Sequence, residues 1–154
     1  MVEVGQAAPD FTLPDQMGIT TTLSGLRGTP IVLYFYPRDD TPGCTKEACG
    51  FRDDFSNYQA RGATILGVSP DSSSSHARFA QKFNLPFTLL ADTEHQVCEA
   101  YGVWKEKNMY GRKSMGVERT TFVIDAKGIV RAVFPRVKVD GHGQAVLNAI
   151  DDCR

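Results

Sequence analysis

Cys44 is the residue of this chain best placed to do chemistry, and Cys49 follows it five positions later. The apolar, aromatic run Ile31–Tyr36 before them is typical of a buried strand. Thr41 and Pro42 then form a helix-start signal, a hydroxyl N-cap followed by proline in the first turn. Cys44 is therefore predicted in the first turn of a helix, where unpaired backbone N–H groups and the positive end of the helix dipole favour the thiolate. The thiolate is the nucleophilic form, so we expect a reactive cysteine.

The residues just before Cys44 predict a small, shielded pocket. Thr41 offers a hydroxyl that can both donate and accept hydrogen bonds beside the sulfur. Pro37 and Pro42 fix the backbone φ angle and remove two N–H donors, so they stiffen the loop. Such a pocket, with few fixed polar groups, suits a small polar substrate better than a peptide or a nucleotide.

Arg119 is the candidate cation for this pocket. If the thiolate attacks an O–O bond, negative charge develops on the departing oxygen, and a fixed cation nearby would stabilise it. Arg119 stands at the start of the predicted strand Thr120–Asp125, and an arginine entering a buried strand is costly unless it is paired or functional. Its planar fork could contact the thiolate and an oxygen together. Alternatively, it is a rim arginine paired with Glu47 or Glu118.

The other three cysteines have less distinctive surroundings. Cys49 lies inside the predicted helix, where cysteines are most often buried hydrophobes; alternatively, it captures a sulfenic acid formed on Cys44 as a disulfide. We assign Cys98 to packing in a short helix, and Cys153 to an exposed, incidental thiol near the terminus. The chain has no Cys-x-x-Cys pair and no histidine at metal-ligand spacing from a cysteine, so we expect no zinc site.

Length and composition predict a single domain, residues 1–154. A chain of 154 residues can bury a core without disulfide staples, and its 42% apolar and 23% charged residues are ordinary for a globular protein. The net charge of −1 gives no electrostatic reason to expect nucleic acid or an anionic membrane as a partner. The sequence has no membrane-length apolar run and its start lacks the features of a signal peptide, so we expect a cytoplasmic protein. We also expect a monomer.

Strands and helices alternate along most of the chain. This order predicts an α/β fold, with a central mixed sheet flanked by helices on both faces and an N-terminal extension of two short strands. In such open sheets, active groups lie at the carboxyl ends of strands, where the loop before Cys44 falls. The stretch Lys105–Met115 is predicted to be irregular, and its basic surface is either solvated or a docking patch. The predicted strands are Phe11–Leu13, Thr20–Leu23, Ile31–Tyr36, Ala63–Ser69, Thr88–Ala91, Thr120–Asp125 and Ile129–Phe134, and the predicted helices are Gly43–Arg61, Ser72–Phe83, His95–Tyr101 and Gly143–Asp152.

The stretch Pro37-Arg-Asp-Asp-Thr41-Pro-Gly-Cys44 resembles the active-site motif Pro-x-x-x-Thr/Ser-x-x-Cys of peroxiredoxins. With Glu47 and Cys49 after it, the segment is similar to the peroxiredoxin Q branch, also called bacterioferritin comigratory protein. The similarity covers nearly the whole chain and is specific. It also includes the segments Ala8–Leu13, Gly67–Asp71, Lys105–Gly111 and Glu118–Asp125.

The resemblance implies a thioredoxin-like fold and a role for each motif residue. Cys44 would be the peroxidatic nucleophile, Thr41 and Pro37 would shape the peroxide pocket, and Arg119 would activate the peroxide. Some members of the branch have the resolving cysteine at the position of Ala80, and others have it five residues after the nucleophile, which matches Cys49. In the implied cycle, hydrogen peroxide or an organic hydroperoxide oxidises Cys44 to a sulfenic acid, and Cys49 condenses with it to a disulfide. Thioredoxin, or glutaredoxin, would reduce that disulfide, and no metal, flavin or haem would be required.

Two other functions compete with a peroxidase. A thioredoxin-like disulfide reductase usually needs Cys-x-x-Cys at the helix start, which this chain lacks. A redox-sensing or chaperone-like module could use the same disulfide to switch a partner surface. Turnover distinguishes a peroxidase from a redox sensor. A peroxidase reduces many equivalents of peroxide, whereas a sensor needs to react only once.

Overall fold

A five-stranded mixed sheet forms the centre of the structure, a computed structural model that describes residues 1–154. The nine strands are β1 (Thr12–Pro14), β2 (Thr20–Thr22), β3 (Ile31–Phe35), β4 (Thr64–Ser69), β5 (Thr88–Ala91), β6 (Trp104–Met109), β7 (Arg112–Val117), β8 (Thr120–Ile124) and β9 (Val130–Phe134). The five helices are α1 (Pro42–Asp53), α2 (Phe55–Ala60), α3 (Ser73–Phe83), α4 (Gln96–Ala100) and α5 (His142–Asp152).

The order of strands across the central sheet is β5, β4, β3, β8 and β9. Strand β3 pairs in parallel with β4, which pairs in parallel with β5. On its other side β3 pairs antiparallel with β8, and β8 with β9. The predicted mixed sheet of a thioredoxin-like α/β fold is therefore confirmed. Strand β3 is the middle strand of the sheet, so the loop that follows it begins at the carboxyl end of the central strand.

Alternate residues of β3 face two hydrophobic cores, one on each side of the sheet. Val32 and Tyr34 point to the side covered by α1, α2, α3 and α5. Ile31, Leu33 and Phe35 point to the side covered by α4 and the N-terminal segment. Because both faces are covered, all five residues of β3 are buried, which explains the uninterrupted apolar run in the sequence.

The N-terminal extension consists of the two short strands that the sequence predicts. Strands β1 and β2 pair antiparallel, with Thr12 opposite Thr22. A backbone bridge between Asp15 and Leu90 joins this hairpin to the edge strand β5. The extension therefore covers one edge of the central sheet.

The helix predicted over Gly43–Arg61 is two helices, and the prediction of one continuous helix is wrong. The break falls at Asp54, whose φ of −96° and ψ of 9° end α1 and begin α2. Asp53 and Asp54 form a pair of poor helix formers, which lowers the cost of a break at this point. Gly62 follows α2 with a left-handed φ of 67°.

The prediction of an irregular segment over Lys105–Met115 is also wrong, because these residues belong to the antiparallel hairpin of β6 and β7. The two strands turn at Tyr110 and Gly111, which both have positive φ, as hairpin turns of two residues require. Most of the hairpin is exposed on both faces, so its sequence lacks the alternation of apolar and polar residues by which strands are recognised.

The remaining predicted elements are confirmed to within two residues at each end. Ser72 is the N-cap of α3, and its hydroxyl accepts a hydrogen bond from the backbone N–H of Ser75. None of the helices combines the length and the apolar character needed to cross a membrane.

Candidate active site

Cys44 lies in the first turn of α1, directly beyond the carboxyl end of the central strand β3. Its side chain packs in the core between the sheet and the helices, and only 1% of the residue is exposed. The position in the helix agrees with the sequence prediction. The sulfur is therefore largely shielded from bulk water.

Arg119 contacts both Cys44 and Glu47. Its Nη2 donates a hydrogen bond to Sγ of Cys44 at 3.1 Å, and its Nη1 donates to Oε1 of Glu47 at 2.7 Å. The two interpretations of Arg119 made from the sequence therefore describe one arrangement, since the carboxylate holds the guanidinium in place while the second nitrogen reaches the sulfur. A planar fork can make both contacts at once, which a lysine could not.

Burial and the charge of the partner shift the pKa values of Glu47 and Arg119 in opposite directions. Burial raises the pKa of Glu47 to about 7, although the guanidinium acts in the other direction. Burial disfavours the charge on Arg119, but Glu47 and Cys44 outweigh it and raise the pKa of the guanidinium. Arg119 therefore stays a cation beside the sulfur. The second carboxylate oxygen of Glu47, Oε2, is buried and has no hydrogen-bond partner.

Gly43 explains how Arg119 comes so close to the helix. A Cβ atom built on Gly43 would lie 3.2 Å from Nη2 of Arg119, tighter than almost all contacts of this kind. A side chain at this position would press on the guanidinium. Sequence reasoning missed this role, because the glycine matters only through a residue 76 positions further along the chain.

Thr41 is the N-cap residue of α1, as predicted, but its hydroxyl does not cap the helix. Instead, Oγ1 donates a hydrogen bond to the backbone carbonyl of Arg38 at 2.9 Å. Its lone pairs remain able to accept a hydrogen bond. Pro37 is half-buried at the start of the same loop. Thr41 and Pro37 thus flank the loop before Cys44.

Asp39 anchors this loop to α3, a role that sequence reasoning missed. Its carboxylate accepts hydrogen bonds from the Tyr36 hydroxyl at 2.6 Å and the Ser75 hydroxyl at 2.8 Å, and it lies 2.7 Å from Nδ1 of His76. The backbone N–H of Asp39 donates to Asp71 at 2.8 Å. Asp39, Asp71 and His76 could each offer one ligand atom to a metal ion, but their hydrogen bonds to one another already account for the arrangement.

The remaining cysteines occupy three different environments. Cys49 is half-buried on α1, and Cys98 is fully buried, as its assignment to packing predicted. Burial raises the pKa of the Cys98 thiol, and Asp92 adds to the effect, so this thiol is unreactive. Cys153 is not the exposed thiol that was predicted. It is half-buried against the core, and its Sγ donates to the backbone carbonyl of Ile150.

Comparison with known proteins gives consistent results. Residues 4–133 match the AhpC/TSA family. A bcp relative from Coxiella burnetii is 55% identical over 149 residues, covering 97% of this chain and 99% of its own length. Peroxiredoxin Bcp of Bacillus subtilis is 48% identical, covering 98% of this chain and 96% of its own. The solved structure of the bacterioferritin comigratory protein of Xanthomonas campestris, studied for its alkyl peroxide reduction activity, has a TM-score of 0.90 at 41% identity and covers 99% of this chain and 97% of its own.

Proposed function

The chain belongs to the AhpC/TSA family, as a peroxiredoxin of the Bcp or Q type, and we propose that Cys44 is the nucleophile with which it reduces peroxides. It is a thiol peroxidase. The observation that carries the assignment to Cys44 is the hydrogen bond of 3.1 Å from Arg119 to its sulfur. Cys49, Cys98 and Cys153 have no arginine contact of this kind.

The first step is attack of the Cys44 thiolate on one oxygen of the peroxide. An S–O bond forms and the O–O bond breaks, so that the sulfur is oxidised to a sulfenic acid and the peroxide is reduced to water or an alcohol. Arg119 stabilises the thiolate before the attack and the negative charge on the departing oxygen during it. Thr41 can accept a hydrogen bond from the peroxide O–H, which orients the substrate, and Pro37 keeps the loop rigid.

In the second step Cys49 attacks the sulfenic acid, forming an intramolecular disulfide with release of water. Helix α1 is continuous from Pro42 to Asp53, so the two cysteines are about 7.5 Å apart along its axis and about 140° apart around it. Their Cα atoms would then lie beyond the roughly 7 Å that a disulfide can bridge. We infer that the first turns of α1 must unwind, roughly over residues 43–51, before the disulfide forms.

Two features support Cys49 over the alternative position for a resolving cysteine. The position on α3 at which some members of the branch have it is occupied by Ala80. Gly43 and Gly50 flank the two cysteines of α1, and glycine lowers the cost of opening a helix. Unwinding would also move the disulfide from the core to the surface, where a reductant can reach it.

The third step returns both thiols to the reduced form. An external dithiol, thioredoxin or glutaredoxin, attacks the exposed disulfide and leaves as a disulfide itself. A cytoplasmic location suits this cycle, because its reducing conditions regenerate thiols. Residues 1–154 would act as one catalytic unit and as a monomer, since both cysteines lie on one helix.

A stopped-flow assay with single cysteine variants tests this proposal. Cys44→Ser should abolish peroxide reduction while the fold is retained, because a hydroxyl is a far weaker nucleophile at neutral pH. Cys98→Ser and Cys153→Ser, the matched controls, should turn over like the wild type with thioredoxin. Mass spectrometry of the oxidised protein should find Cys44 linked to Cys49. Appreciable turnover by Cys44→Ser, or a dominant link from Cys44 to Cys98, would contradict the assignment.

A further inference from the structure

The hairpin of β6 and β7 has one basic face and one face whose charges balance. Side chains alternate between the two faces of a hairpin, and residues paired across its strands share a face. By the observed register, the members of the basic face are Lys105, Lys107, Met109, Arg112, Ser114 and Gly116. Glu106, the only carboxylate of the hairpin, lies on the other face, where it forms an ion pair with Lys113. The basic face therefore carries three cations and no anion.

The basic face is open to solvent over most of its length. Lys105 and Arg112 are exposed, and so is Met109, with 64% of the residue accessible. Tyr110, in the turn at the tip of the hairpin, is fully exposed. Arginine, methionine and tyrosine are residue types enriched where proteins bind one another, and exposed apolar side chains beside polar ones mark such surfaces. The composition of this face is therefore that of a protein-binding surface.

The base of the hairpin adjoins the active site. Strand β7 ends at Val117, two residues before Arg119, whose Nη2 donates to Sγ of Cys44 at 3.1 Å. Trp104 and Val117, on the face opposite the basic face, pack into the core on the side of the sheet covered by α4. The basic face therefore points away from that core, towards the side of the sheet on which α1 and Cys44 lie.

The catalytic cycle requires a protein partner at this place. The disulfide of Cys44 and Cys49 forms when the first turns of α1 unwind, which frees it beside Arg119 and the base of the hairpin. A protein dithiol must then bring a thiolate to one of its sulfurs. The basic face extends about 17 Å from Lys105 to the tip, at the rise of about 3.4 Å per strand residue. This length suits contact with a protein better than contact with a peroxide, and its cations favour an acidic partner surface.

We propose that the basic face of this hairpin is the docking surface for the protein dithiol that reduces the disulfide, and that this partner has an acidic surface around its thiols. Opposite charges speed the encounter, and Met109 and Tyr110 make apolar contacts once the two proteins meet. The inference rests on the proposed function, since it takes the disulfide of Cys44 and Cys49 as the species that the partner reduces.

Coupled turnover with thioredoxin and with glutaredoxin measures docking. Lys105→Glu combined with Arg112→Glu reverses two exposed charges of the basic face. With the protein that supports the wild type, this pair should lower kcat/KM for the reductant about 10-fold or more, through a higher KM. Lys127→Glu combined with Arg154→Glu changes the net charge equally, in the turn after β8 and at the C-terminus, and should match the wild type.

Salt and apolar variants test the two kinds of contact separately. Added salt should lower kcat/KM of the wild type for the protein reductant, because it screens exposed charges, and should not lower that of the Lys105→Glu and Arg112→Glu pair. Met109→Ser combined with Tyr110→Ser should raise the KM for the reductant and keep the salt dependence of the wild type.

Two readouts distinguish docking from chemistry. Turnover with dithiothreitol, a small uncharged dithiol, and the stopped-flow rate constant for hydrogen peroxide should be the same in all these variants and the wild type. Equal losses with dithiothreitol and with the protein reductant would overturn the proposal, because the defect would then lie in the cycle itself. Absence of wild-type turnover with dithiothreitol would instead overturn the proposed function.

Three other results would overturn the docking surface. The first is an unchanged KM for the protein reductant in the Lys105→Glu and Arg112→Glu pair, or an equal rise in the control pair. The second is wild-type turnover with dithiothreitol but with neither thioredoxin nor glutaredoxin. The third is a wild-type dimer and a monomeric charge-reversed variant in sedimentation, since the basic face would then bind a second copy of this chain.

Discussion

Nη2 of Arg119 lies 3.1 Å from Sγ of Cys44, and the same guanidinium is held on its other side by Glu47. Arg119, in the short link between β7 and β8, and Cys44, on α1, are 75 positions apart in the sequence and form a single charged unit at the end of the central sheet.

Arg119→Ala should lower the rate constant for peroxide reduction by about two orders of magnitude, because it removes the donor that stabilises the developing charge. Stopped-flow kinetics of the reduced variant with hydrogen peroxide measures this directly. Arg119→Lys keeps the charge but cannot contact the sulfur and Glu47 together, so it should recover only part of the loss. A loss under threefold in Arg119→Ala would reduce this arginine to a structural role.

Gly43→Ala should slow the peroxide reaction about 3- to 10-fold without weakening the fold. The new Cβ would lie 3.2 Å from Nη2 of Arg119, so the guanidinium must move a few tenths of an ångström from its position at the sulfur. Displacements of about 1 Å at a reacting centre can cost about 100-fold. Wild-type kinetics in this variant would show that the close approach of Arg119 is unimportant.

Gly50→Ala, in the same helix, should leave the peroxide step unchanged and slow disulfide formation. No atom lies within 4 Å of a Cβ built at Gly50, so the substitution only strengthens the helix, by about 0.5–1 kcal/mol. If α1 must unwind before Cys49 can react, the rate of the second kinetic phase should fall about 2- to 5-fold. An unchanged second phase would mean that unwinding does not limit the formation of the disulfide.

Glu47→Gln should change how stability depends on pH. Burial raises the pKa of Glu47 from its ordinary value of 4.5 to about 7, so between these pH values the folded protein keeps a proton that the unfolded chain has lost. Stability from this group is therefore present below pH 4.5 and is lost as pH rises to about 7. Glutamine does not titrate, so the unfolding free energy of Glu47→Gln relative to the wild type should rise across this window. A difference that is constant with pH would contradict the shift.

His142 makes stability depend on pH in the opposite sense to Glu47. Its contribution must therefore be separated from that of Glu47. Burial lowers the pKa of His142 to about 4, and Arg119 adds to the decrease. Its contribution to stability is lost as pH falls from 6.5 towards 4. Because both proteins contain His142, its effect cancels in the difference between Glu47→Gln and the wild type, which is why the comparison uses that difference.

The sequence predicted the parts of the site that depend on local signals. The apolar run ending at Tyr36, with Thr41 and Pro42 after it, placed Cys44 in the first turn of a helix at the end of a strand. Arg119 was predicted because an arginine at the start of a buried strand needs a partner. The central sheet followed from the same reasoning, since strands buried on both faces have continuous apolar sequences.

The missed features depend on contacts between distant parts of the chain. Gly43 lies in the first turn of α1 and Asp39 in the loop before it, and nothing in the local sequence marks either residue. The role of Gly43 depends on Arg119, and that of Asp39 depends on α3. The hairpin of β6 and β7 was missed because strands exposed on both faces have no periodic pattern of apolar residues. The break at Asp54 was missed because helix propensity is a weak signal beside the packing of Phe51 and Tyr58 on one core.

Hydrogen exchange on the reduced and the peroxide-oxidised protein tests whether α1 unwinds when Cys44 and Cys49 form a disulfide. If Cys44 and Cys49 form the disulfide through unwinding of α1, oxidation should deprotect amides across residues 43–51 while β3 stays protected. Cys49→Ser treated with the same peroxide is the control, and its helix should remain protected because no intramolecular disulfide can form with position 49. Equal protection of residues 43–51 in the reduced and oxidised wild-type protein would contradict the account.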